Sequence, residues 1–465
     1  MKISLSILLF IIVVIQVSAQ EEPNFSSYDK LTYRLYVEKK YDSLILIGNE
    51  ALQNGFDYYY LRMRLGIAFY ENAKYLSALK QFKKAEEYNS GDKLILEYQY
   101  YCLVFSGQPQ RARMLASRFP EELKKKLFTA GGVLYSAGIE SGIGRNLAYN
   151  DQLNQIPEDY NIYDERAIPA QYTLAGLSLQ HKTFNRLNFH HRYSYLLIDK
   201  FQQIYDDEKG RQNFQHKTEQ NAYYIRAQLL LNDGWELGAA FHSLWTTRYI
   251  TDVDYNLTIG KEIPVYSNNK EQLAEQIYHA SIARRTKHVK WTLGAGFGTI
   301  NSLKKRQYNL GIVVYPFQNT NFYTISDIAY NETILPNNTL SLSGPGPGGG
   351  GKLSSLNSSG SGKWIFSQTL GAKVWKVWLE ANASIGKMQN YMEDNAAFIY
   401  NDIDPMYRKY GFSLIVPYKR LNFSLTYSYM YKESTSIIYT NENLFSTELF
   451  NYDINSLILE IRYDF

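Results

Sequence analysis

The chain closes with "SLILEIRYDF", Ser456–Phe465, and this stretch alternates in the way a β-strand does. One face is apolar or aromatic throughout, at Leu457, Leu459, Ile461, Tyr463 and Phe465. The other face carries Glu460, Arg462 and Asp464. In an open soluble sheet such a strand would be an exposed edge that promotes aggregation. In a closed barrel the last strand pairs with the first, so the stretch favours a barrel.

The opposite end of the chain predicts export. Lys2 precedes an apolar run from Ile7 to Ile15, and small residues lead to Gln20. This pattern predicts a signal peptide over residues 1–19, with cleavage after Ala19. An N-terminal membrane anchor is the alternative, but the run is short for a helical span of about 20 residues. We therefore expect the mature chain to leave the cytoplasm.

Composition narrows the class of protein. Cys102 is the single cysteine, so internal disulfides do not hold an exported chain of this kind together, and we expect Cys102 to be a small core residue. A net charge of +4 with mixed signs argues against a nucleic-acid partner. Tyrosine is abundant, at 42 residues. Since no later apolar stretch is long enough for a spanning helix, a membrane barrel remains possible.

Residues 22–126 have a helical period. The clearest stretch is "LRMRLGIAFYENAKYLSALKQFKKAEEYNSGD", residues 61–92. Its pattern resembles the 34-residue tetratricopeptide repeat in type and spacing, at Leu65, Gly66, Phe69, Tyr75, Ala78, Phe82 and Ala85. It departs from that pattern at Ala73, where Gly is usual, and at Ser90, where Pro is usual. The resemblance implies about three stacked repeats that bind a protein or peptide. A plain helical bundle is the alternative.

From residue 127 to residue 465 the period changes to two. "RLNFSLTYSYMY", Arg420–Tyr431, alternates large apolar residues with Asn422, Ser424 and Thr426. "NAYYIRAQLLL" (221–231) and "RLNFHHRYSYLL" (186–197) alternate similarly. Segments of about ten residues with this alternation and terminal aromatics are typical of transmembrane barrel strands.

The connections between these strands alternate in length. Short turns such as "KTFNRL" (182–187) and "YKRLNF" (418–423) separate mostly long polar connections. The predicted long loops are 143–169, 202–217, 251–275, 333–362, 390–406 and 434–452. Short periplasmic turns and long outer loops are the plan of bacterial outer-membrane barrels. The sequence therefore predicts an α + β multidomain protein, with N-terminal helical repeats and an antiparallel barrel of about 14 strands. A secreted sandwich is the alternative.

Two local features bear on assembly and on the loops. The alternation of Ile461, Tyr463 and Phe465 resembles the C-terminal signal that outer-membrane assembly machinery recognises, which implies that machinery and outer-membrane lipid as partners. Residues 342–364 are rich in Gly, Ser and Pro, and this composition is typical of a flexible loop. The stretch lacks the Gly-Lys-Ser/Thr ending of a phosphate-binding loop.

No motif predicts catalysis, a metal site or a cofactor. The seven histidines are scattered, and His190 and His191 fall on opposite faces of one strand, so they do not form a shared metal site. A lipid hydrolase would need a serine, a histidine and an acid or amide on one face, and no spacing singles out such a serine. We expect a protein that is not an enzyme.

The inward faces of the predicted strands carry a mixed polar and ionisable set. The candidates are Glu140, His190, Arg192, Arg226, Glu236, His242, His279, Arg285, Glu380, Glu460 and Arg462. They have two interpretations: ion pairs that fill and steady the barrel, or the lining of a hydrated conduit.

The order of domains resembles that of outer-membrane exporters of exopolysaccharides such as poly-N-acetylglucosamine and cellulose. The resemblance implies a barrel in the bacterial outer membrane with its N-terminal repeats in the periplasm. We expect a conduit for export or passage of a polar polymer or solute. The alternative is a non-transporting anchor or subunit of an envelope assembly, whose repeats dock a periplasmic protein.

Overall fold

The structure, a computed structural model, describes residues 24–127, 132–154, 161–206, 209–258, 261–334, 362–440 and 445–465. The predicted signal peptide and most of the Gly-rich stretch lie outside these residues. The chain divides into two compact units, one of helices and one of strands. Each unit is described by itself.

The helical unit consists of short helices, of which the first five have 13 or 14 residues and the last two have 8 and 6. They are α1 Phe25–Val37, α2 Tyr41–Gln53, α3 Tyr59–Glu71, α4 Tyr75–Tyr88, α5 Lys93–Phe105, α6 Pro109–Ala116 and α7 Glu121–Lys126. The side chain of Asn24 caps α1 and that of Asp92 caps α5 by accepting from backbone N–H groups, and Pro109 suits the first turn of α6. No helix in the described part of the chain is long and apolar enough to cross a membrane.

The helices recur with a constant spacing. α1, α3 and α5 begin 34 residues apart, at Phe25, Tyr59 and Lys93. The turns between paired helices contain a left-handed residue at the same interval, at Lys39 (φ 56°), Ala73 (φ 54°) and Gly107 (φ 77°). Ala73 therefore adopts the conformation for which Gly is favoured at this position. The spacing equals the predicted period, while membership of the repeat family stays a prediction.

The repeat-signature residues lie in the interface of α3 and α4 and in the packing on either side of it. Leu65, Ala78, Phe82 and Ala85 are fully buried, and Phe69 and Tyr75 pack against the same clusters. A Cβ on Gly66 would lie 2.6 Å from Cε1 of Phe82, so only Gly allows this close approach. Cys102 is also fully buried, and burial raises the pKa of its thiol.

The strand unit is a closed antiparallel barrel of 14 strands, which confirms the predicted fold class. Its strands are β1 Leu134–Asn146, β2 Asn161–Phe184, β3 Leu187–Asp206, β4 Gly210–Leu230, β5 Trp235–Thr258, β6 Lys261–Arg285, β7 Val289–Ile300, β8 Leu303–Val314, β9 Phe322–Ile334, β10 Lys363–Val374, β11 Val377–Met388, β14 Met406–Tyr418, β15 Leu421–Thr440 and β16 Phe445–Asp464. Between β11 and β14, β12 Tyr391–Glu393 and β13 Phe398–Tyr400 form a separate two-stranded sheet. β1 closes the ring on β16, with Ser136 opposite Asp464 and Ile139 opposite Ile461. A short helix, α8 Tyr149–Asn154, follows β1.

The wall of the barrel is uneven in height. β2 to β6 have 20 to 25 residues, whereas β7 and β8 have 12 each. A membrane strand needs only about 9–11 residues, so one side of the wall extends well beyond the membrane. The predictions of long loops at 202–217, 251–275 and 434–452 were wrong, because most of these residues continue as paired strands. Polar residues are frequent in these projecting hairpins, and for that reason their sequence resembles that of loops.

The projecting strands close over part of the mouth. β14 pairs with β15 only as far as Lys432. Above that point the same edge of β15 pairs with β2, where Ile437 lies opposite Glu165. This extra pairing narrows the opening above the ring.

The outer wall is apolar around the ring. Exposed large apolar side chains occur on nearly every strand, for example Ile139, Leu177, Tyr193, Leu237, Tyr278, Phe297, Leu310, Ile328, Leu370, Ile385, Phe412, Leu425 and Leu459. Soluble monomers rarely expose a continuous apolar patch of more than a few hundred Å². An outward apolar band and a polar interior are typical of a transmembrane barrel. The band therefore marks the wall as a lipid-facing surface.

Candidate functional site: the lumen and the loop inside it

The connection between β11 and β14 folds into the barrel. We call residues 389–405 the lumen loop; it contains a two-stranded hairpin, β12 Tyr391–Glu393 and β13 Phe398–Tyr400. The long connection predicted at 390–406 is present between β11 and β14, but it folds into the lumen instead of outward. The physical reason is that Met392 and Ala396 have apolar partners inside the lumen, in a cluster with Ala222, Leu244, Ile277 and Ile300.

Gln307 of β8 holds one side of the lumen loop as a neighbouring strand would. Its Nε2 donates to the carbonyl of Met392 at 2.6 Å, and its Oε1 accepts from the Met392 N–H at 2.9 Å. The Gln307 side chain is fully buried. Asn331 of β9 adds two bonds, donating to the carbonyls of Gln389 (3.2 Å) and Asn390 (3.1 Å). These amides satisfy backbone groups that would otherwise be buried without partners.

The other wall binds the far end of the hairpin. Nδ1 of His242 donates to the carbonyl of Ala396 at 2.7 Å. The Arg192 guanidinium lies 4.2 Å from the ring centroid of Phe398 and donates to the carbonyl of Ala397 at 3.4 Å. The lumen loop is thus bound to β8 and β9 on one side and to β3 and β5 on the other.

Three of the four acidic residues of the lumen loop, Glu393, Asp402 and Asp404, have partners on the wall. Glu393 accepts from Nζ of Lys409 at 2.8 Å and from the Tyr400 hydroxyl at 2.5 Å. Asp402 forms an ion pair with Lys432. Asp404 accepts from the hydroxyls of Ser434 and Tyr452, each at 2.8 Å. Pairing and hydrogen bonding make these buried charges tolerable.

The predicted lumen residues alternate with the outward apolar residues and fall into separate groups. Glu140 pairs with Arg192 at 2.6 Å, and Glu236 pairs with Lys290 at 2.7 Å. The Arg285 guanidinium lies 3.2 Å from the ring centroid of Tyr315, and Glu380 accepts from the Tyr323 hydroxyl. The remaining members are strand residues that do not join these pairs: His190, Arg226, His242, His279, Glu460 and Arg462. Both sequence interpretations therefore stay open, since only part of the set is ion-paired.

Sequence reasoning missed the residues that hold the lumen loop. Gln307, Asn331, Lys409 and Lys432 look like any polar residue at an inward position. Nothing in their local pattern distinguishes a loop anchor from a lumen lining residue. Their partners are known only once the loop is placed inside the ring.

A chamber of about 450 Å³ remains between the lumen loop and the wall, and we call it the lumen chamber. Phe398 and Ile403 of the loop face aliphatic wall residues such as Leu196 and Ile458. Charged and polar side chains line the rest, including Lys200, Arg248 and Glu460. The volume and the mixed lining suit one small molecule with both polar and apolar parts.

The projecting hairpins cover the chamber from the side of the long strands. The pairing of β4 with β5 ends at Thr218 and Arg248, and beyond it β5 reaches across to β3. Gln202 makes two bonds to the backbone of Thr251, at 2.7 and 2.9 Å. An apolar cluster lies above these bonds, formed by Tyr163, Ile204 and Val253 with Phe214 and Tyr266 packed against it. The chamber is therefore bounded by the lumen loop and by this cover.

Metal binding is not indicated in the described ranges, where no group of three or more His, Cys, Asp or Glu side chains could hold an ion. His190 and His191 lie on opposite faces of β3. His190 contacts the inward Tyr224, and His191 bonds to Tyr223.

No protein-family model matches the chain, and no curated protein sequence matches it. Among solved structures, it is similar to a Pseudomonas aeruginosa FadL homologue, with 10% identity and a TM-score of 0.43 over 71% of this chain and 90% of that chain. It is also similar to the Pseudomonas putida toluene transporter TodX, with 8% identity and a TM-score of 0.38 over 73% and 90% of the chains. At so low an identity, the substrates of these proteins are not a guide to what this chain binds.

Proposed function

We propose that the protein is an outer-membrane conduit for a small polar or amphipathic solute, closed at rest by the lumen loop. The single observation that carries the proposal is the lumen loop itself, bound to both walls beside a chamber of about 450 Å³. Its anchors are mostly hydrogen bonds and ion pairs. Each such bond contributes a net of about 0.5–1.5 kcal/mol, because water can replace either partner. A hydrated lumen can therefore release this loop more readily than a dry apolar core could.

The topology supports a periplasmic placement of the short turns. An even number of strands brings the start of β1 and the end of β16 to the same end of the barrel, where Ser136 pairs with Asp464. The short turns lie at this end, and in outer-membrane barrels such turns face the periplasm. We expect the helices that precede β1 in the chain to be periplasmic.

The helical repeats would dock a periplasmic protein. The spacing of 34 residues between helix starts supports the tetratricopeptide interpretation. Such arrays bind proteins or peptides and do no chemistry, so a partner rather than a substrate is expected at this unit.

A polymer places a stronger demand on the lumen than a solute does. An exopolysaccharide chain needs a continuous path, so the whole lumen loop would have to leave the ring during export. A small solute needs only a local opening beside the chamber. For this reason we favour the solute, and polymer export remains the alternative substrate class.

The rival function is a non-transporting anchor or subunit of an envelope assembly. The observation that favours it is the matching of the loop's charges, since Glu393, Asp402 and Asp404 all have partners on the wall. A barrel whose lumen is permanently filled by this loop would show the same pairing of loop and wall residues.

A reversible cross-link distinguishes the two functions. Ala240 of β5 and Ala397 of the lumen loop lie in one buried cluster with Tyr224, so A240C/A397C is the pair tested, and formation of its disulfide is verified by thiol counting before recording. Single-channel conductance in planar bilayers should show openings in the reduced protein and none in the oxidised protein. The single variants A240C and A397C serve as controls and should open under both conditions.

Two results would count against the conduit. Unchanged openings in the oxidised double variant would show that the lumen loop is not the gate. If a variant with residues 390–404 replaced by a short Gly-Ser turn also failed to conduct, the barrel would be an anchor.

A further inference from the structure

The outer wall of the barrel contains a cavity that opens away from the lumen. It has a volume of about 570 Å³ and lies across β16, β1, β2, β3 and β4. We call it the wall cavity. Its lining is mainly apolar: Ala137, Ile139, Leu177, Leu179, Ile461 and Tyr463. A depression of this size in a lipid-facing wall would be filled by hydrocarbon, because apolar surface is more stable against hydrocarbon than against water.

A chain of three polar side chains borders the wall cavity. Nε2 of His181 and Nε2 of His191 are 2.9 Å apart, and Nδ1 of His191 is 2.8 Å from the Tyr223 hydroxyl. His191 and Tyr223 are part of the cavity lining. The rings of His181 and His191 stack with centroids 5.0 Å apart. These residues satisfy one another on a face that is otherwise apolar.

The hydrogen-bonded row His181–His191–Tyr223 carries one more donor proton than its internal hydrogen bonds use. Two neutral imidazoles and one phenol carry three N–H or O–H protons, and the two internal hydrogen bonds use two of them. The third proton lies at one end of the chain, on Nδ1 of His181 or on the Tyr223 oxygen. Among the described residues, the three side chains form no hydrogen bonds other than these two. The chain therefore offers a donor to an acceptor outside the protein.

The wall cavity lies at the edge of the apolar band. Ala137 pairs with Tyr463 on one side and with Leu179 on the other, and Leu179 pairs with His191. These residues form one row around the wall. The Tyr463 hydroxyl accepts from Arg420, which lies in the short turn before β15, so this row is close to the end of the barrel. Lipid phosphate and ester groups lie at this level, next to the aromatic belt.

We propose that the wall cavity binds one phospholipid of the leaflet that surrounds the short turns. An acyl chain occupies the apolar cavity, and a phosphate or ester oxygen accepts the unused proton of the His181–His191–Tyr223 chain. This inference relies on the membrane placement in the proposed function, but not on conduction. The occupant is a lipid because the site combines a hydrocarbon-sized cavity with a single donor at headgroup level.

Retention of a defined lipid tests the site. The full-length protein is folded in detergent with dioleoylphosphatidylethanolamine or, separately, with dioleoylglycerol, which lacks the phosphate. Bound lipid is then counted by native mass spectrometry.

Wild type should retain one phosphatidylethanolamine. H181F/H191F/Y223F keeps three rings and removes all donors, so its retention should fall about tenfold, which corresponds to about 1.4 kcal/mol. If the acceptor is an ester oxygen, wild type should retain dioleoylglycerol as well; if it is phosphate, dioleoylglycerol should be lost.

A second variant tests the cavity without touching the polar chain. A137L places a larger side chain in the wall cavity and should also lower retention. Y410F and A381L are the matched controls, since Tyr410 and Ala381 are exposed positions on β14 and β11. Retention equal to that of wild type in either cavity variant would overturn the proposal.

The lipid-retention test and the conductance test can fail independently of each other. Folding of every variant is checked by heat-modifiable gel migration, and the conductance of H181F/H191F/Y223F should match wild type. A barrel that never conducts but retains the lipid contradicts the proposed function alone. A conducting barrel that retains no lipid contradicts this inference alone.

Discussion

The helical unit and the barrel differ in the share of polar side chains in their interiors. Between α3 and α4 the interior is apolar, with Leu65 and Phe82 fully buried and Gly66 giving the room for their contact. Inside the barrel, apolar clusters such as that of Met392 are accompanied by polar side chains such as Gln307 and Asn331, which bind the backbone of the lumen loop. The surroundings expected for each unit, water around the helices and hydrocarbon around the ring, account for this contrast.

The two interiors should therefore fail in different ways. An apolar core loses stability when volume is removed, because a cavity remains. In a polar lumen, removing a hydrogen-bond partner destabilises the closed position of the lumen loop, because a buried group is left unsatisfied. The following variants test this contrast, from the largest expected effect to the smallest.

Phe82→Ala should have the largest effect and should act on the helices. Truncating a fully buried Phe costs about 3–5 kcal/mol, and Phe82 is 0% exposed. Chemical unfolding followed by helical circular dichroism should show this loss, while the barrel keeps its heat-modifiable migration. Leu46→Ala is the control, because Leu46 of α2 is 69% exposed. Equal losses in the two variants would contradict the packing described for α3 and α4.

Gln307→Leu should act on the gate and leave the ring closed. It deprives the Met392 N–H and carbonyl of their partner. Leaving such groups unsatisfied costs about 1–3 kcal/mol, so the balance between the closed and open lumen should shift about 5- to 150-fold toward open. Single-channel recording should show longer or more frequent openings. Gln368→Leu, at an exposed position of β10, is the control and should behave as wild type. Identical gating in the two variants would show that Gln307 does not hold the loop closed.

Phe465→Ala and Arg462→Ala compare the two faces of β16. Phe465 is 55% exposed on the outer face, where an aromatic contributes less than the about 1.5–3 kcal/mol of full burial. Its loss should lower the amount of assembled barrel and leave the conductance of each barrel unchanged. Arg462→Ala keeps the outward pattern, so assembly should persist and any change should appear in conductance. The opposite result would mean that the faces of β16 are reversed.

The smallest effect concerns a surface ion pair of the helical unit. Hydrogen bonds from Arg62 lower the pKa of Asp57 below its usual value, against a smaller rise from burial. A lowered pKa in the folded state stabilises the fold above the unfolded pKa of about 4, and this contribution is lost as pH falls through the folded pKa. Asp57 is 39% exposed, so the contribution is of the order of exposed pairs, about 0.2–1 kcal/mol. The difference in melting temperature between wild type and Arg62→Gln should therefore narrow between pH 7 and pH 3, and the part that remains is due to the bond from Arg62 to Gln81 at 2.6 Å, which does not titrate with Asp57. Lys84→Gln removes a more exposed pair and should change little at either pH.

Local periodicity made much of the architecture predictable. The 34-residue spacing and the left-handed turn at Ala73 follow from short-range patterns of small and apolar residues. The number of strands and the outward face of Leu459 and Ile461 follow from alternation, because side chains on a strand point to opposite sides in turn. The height of the wall did not follow, since polar residues are frequent in the projecting hairpins and make their sequence resemble that of loops.

The sequence by itself determined the order of the helical and strand regions and which face of the membrane-spanning strands is apolar, because both depend on residues a few positions apart. Only the tertiary structure decided that residues 389–405 lie inside the ring. Gln307 and Met392 are 85 residues apart in the chain, and no local pattern links them. The same holds for His181 and Tyr223, which come together on the outer wall only through the pairing of β2, β3 and β4. Contacts of this kind depend on how the strands are arranged around the ring, and that arrangement is a property of the folded chain.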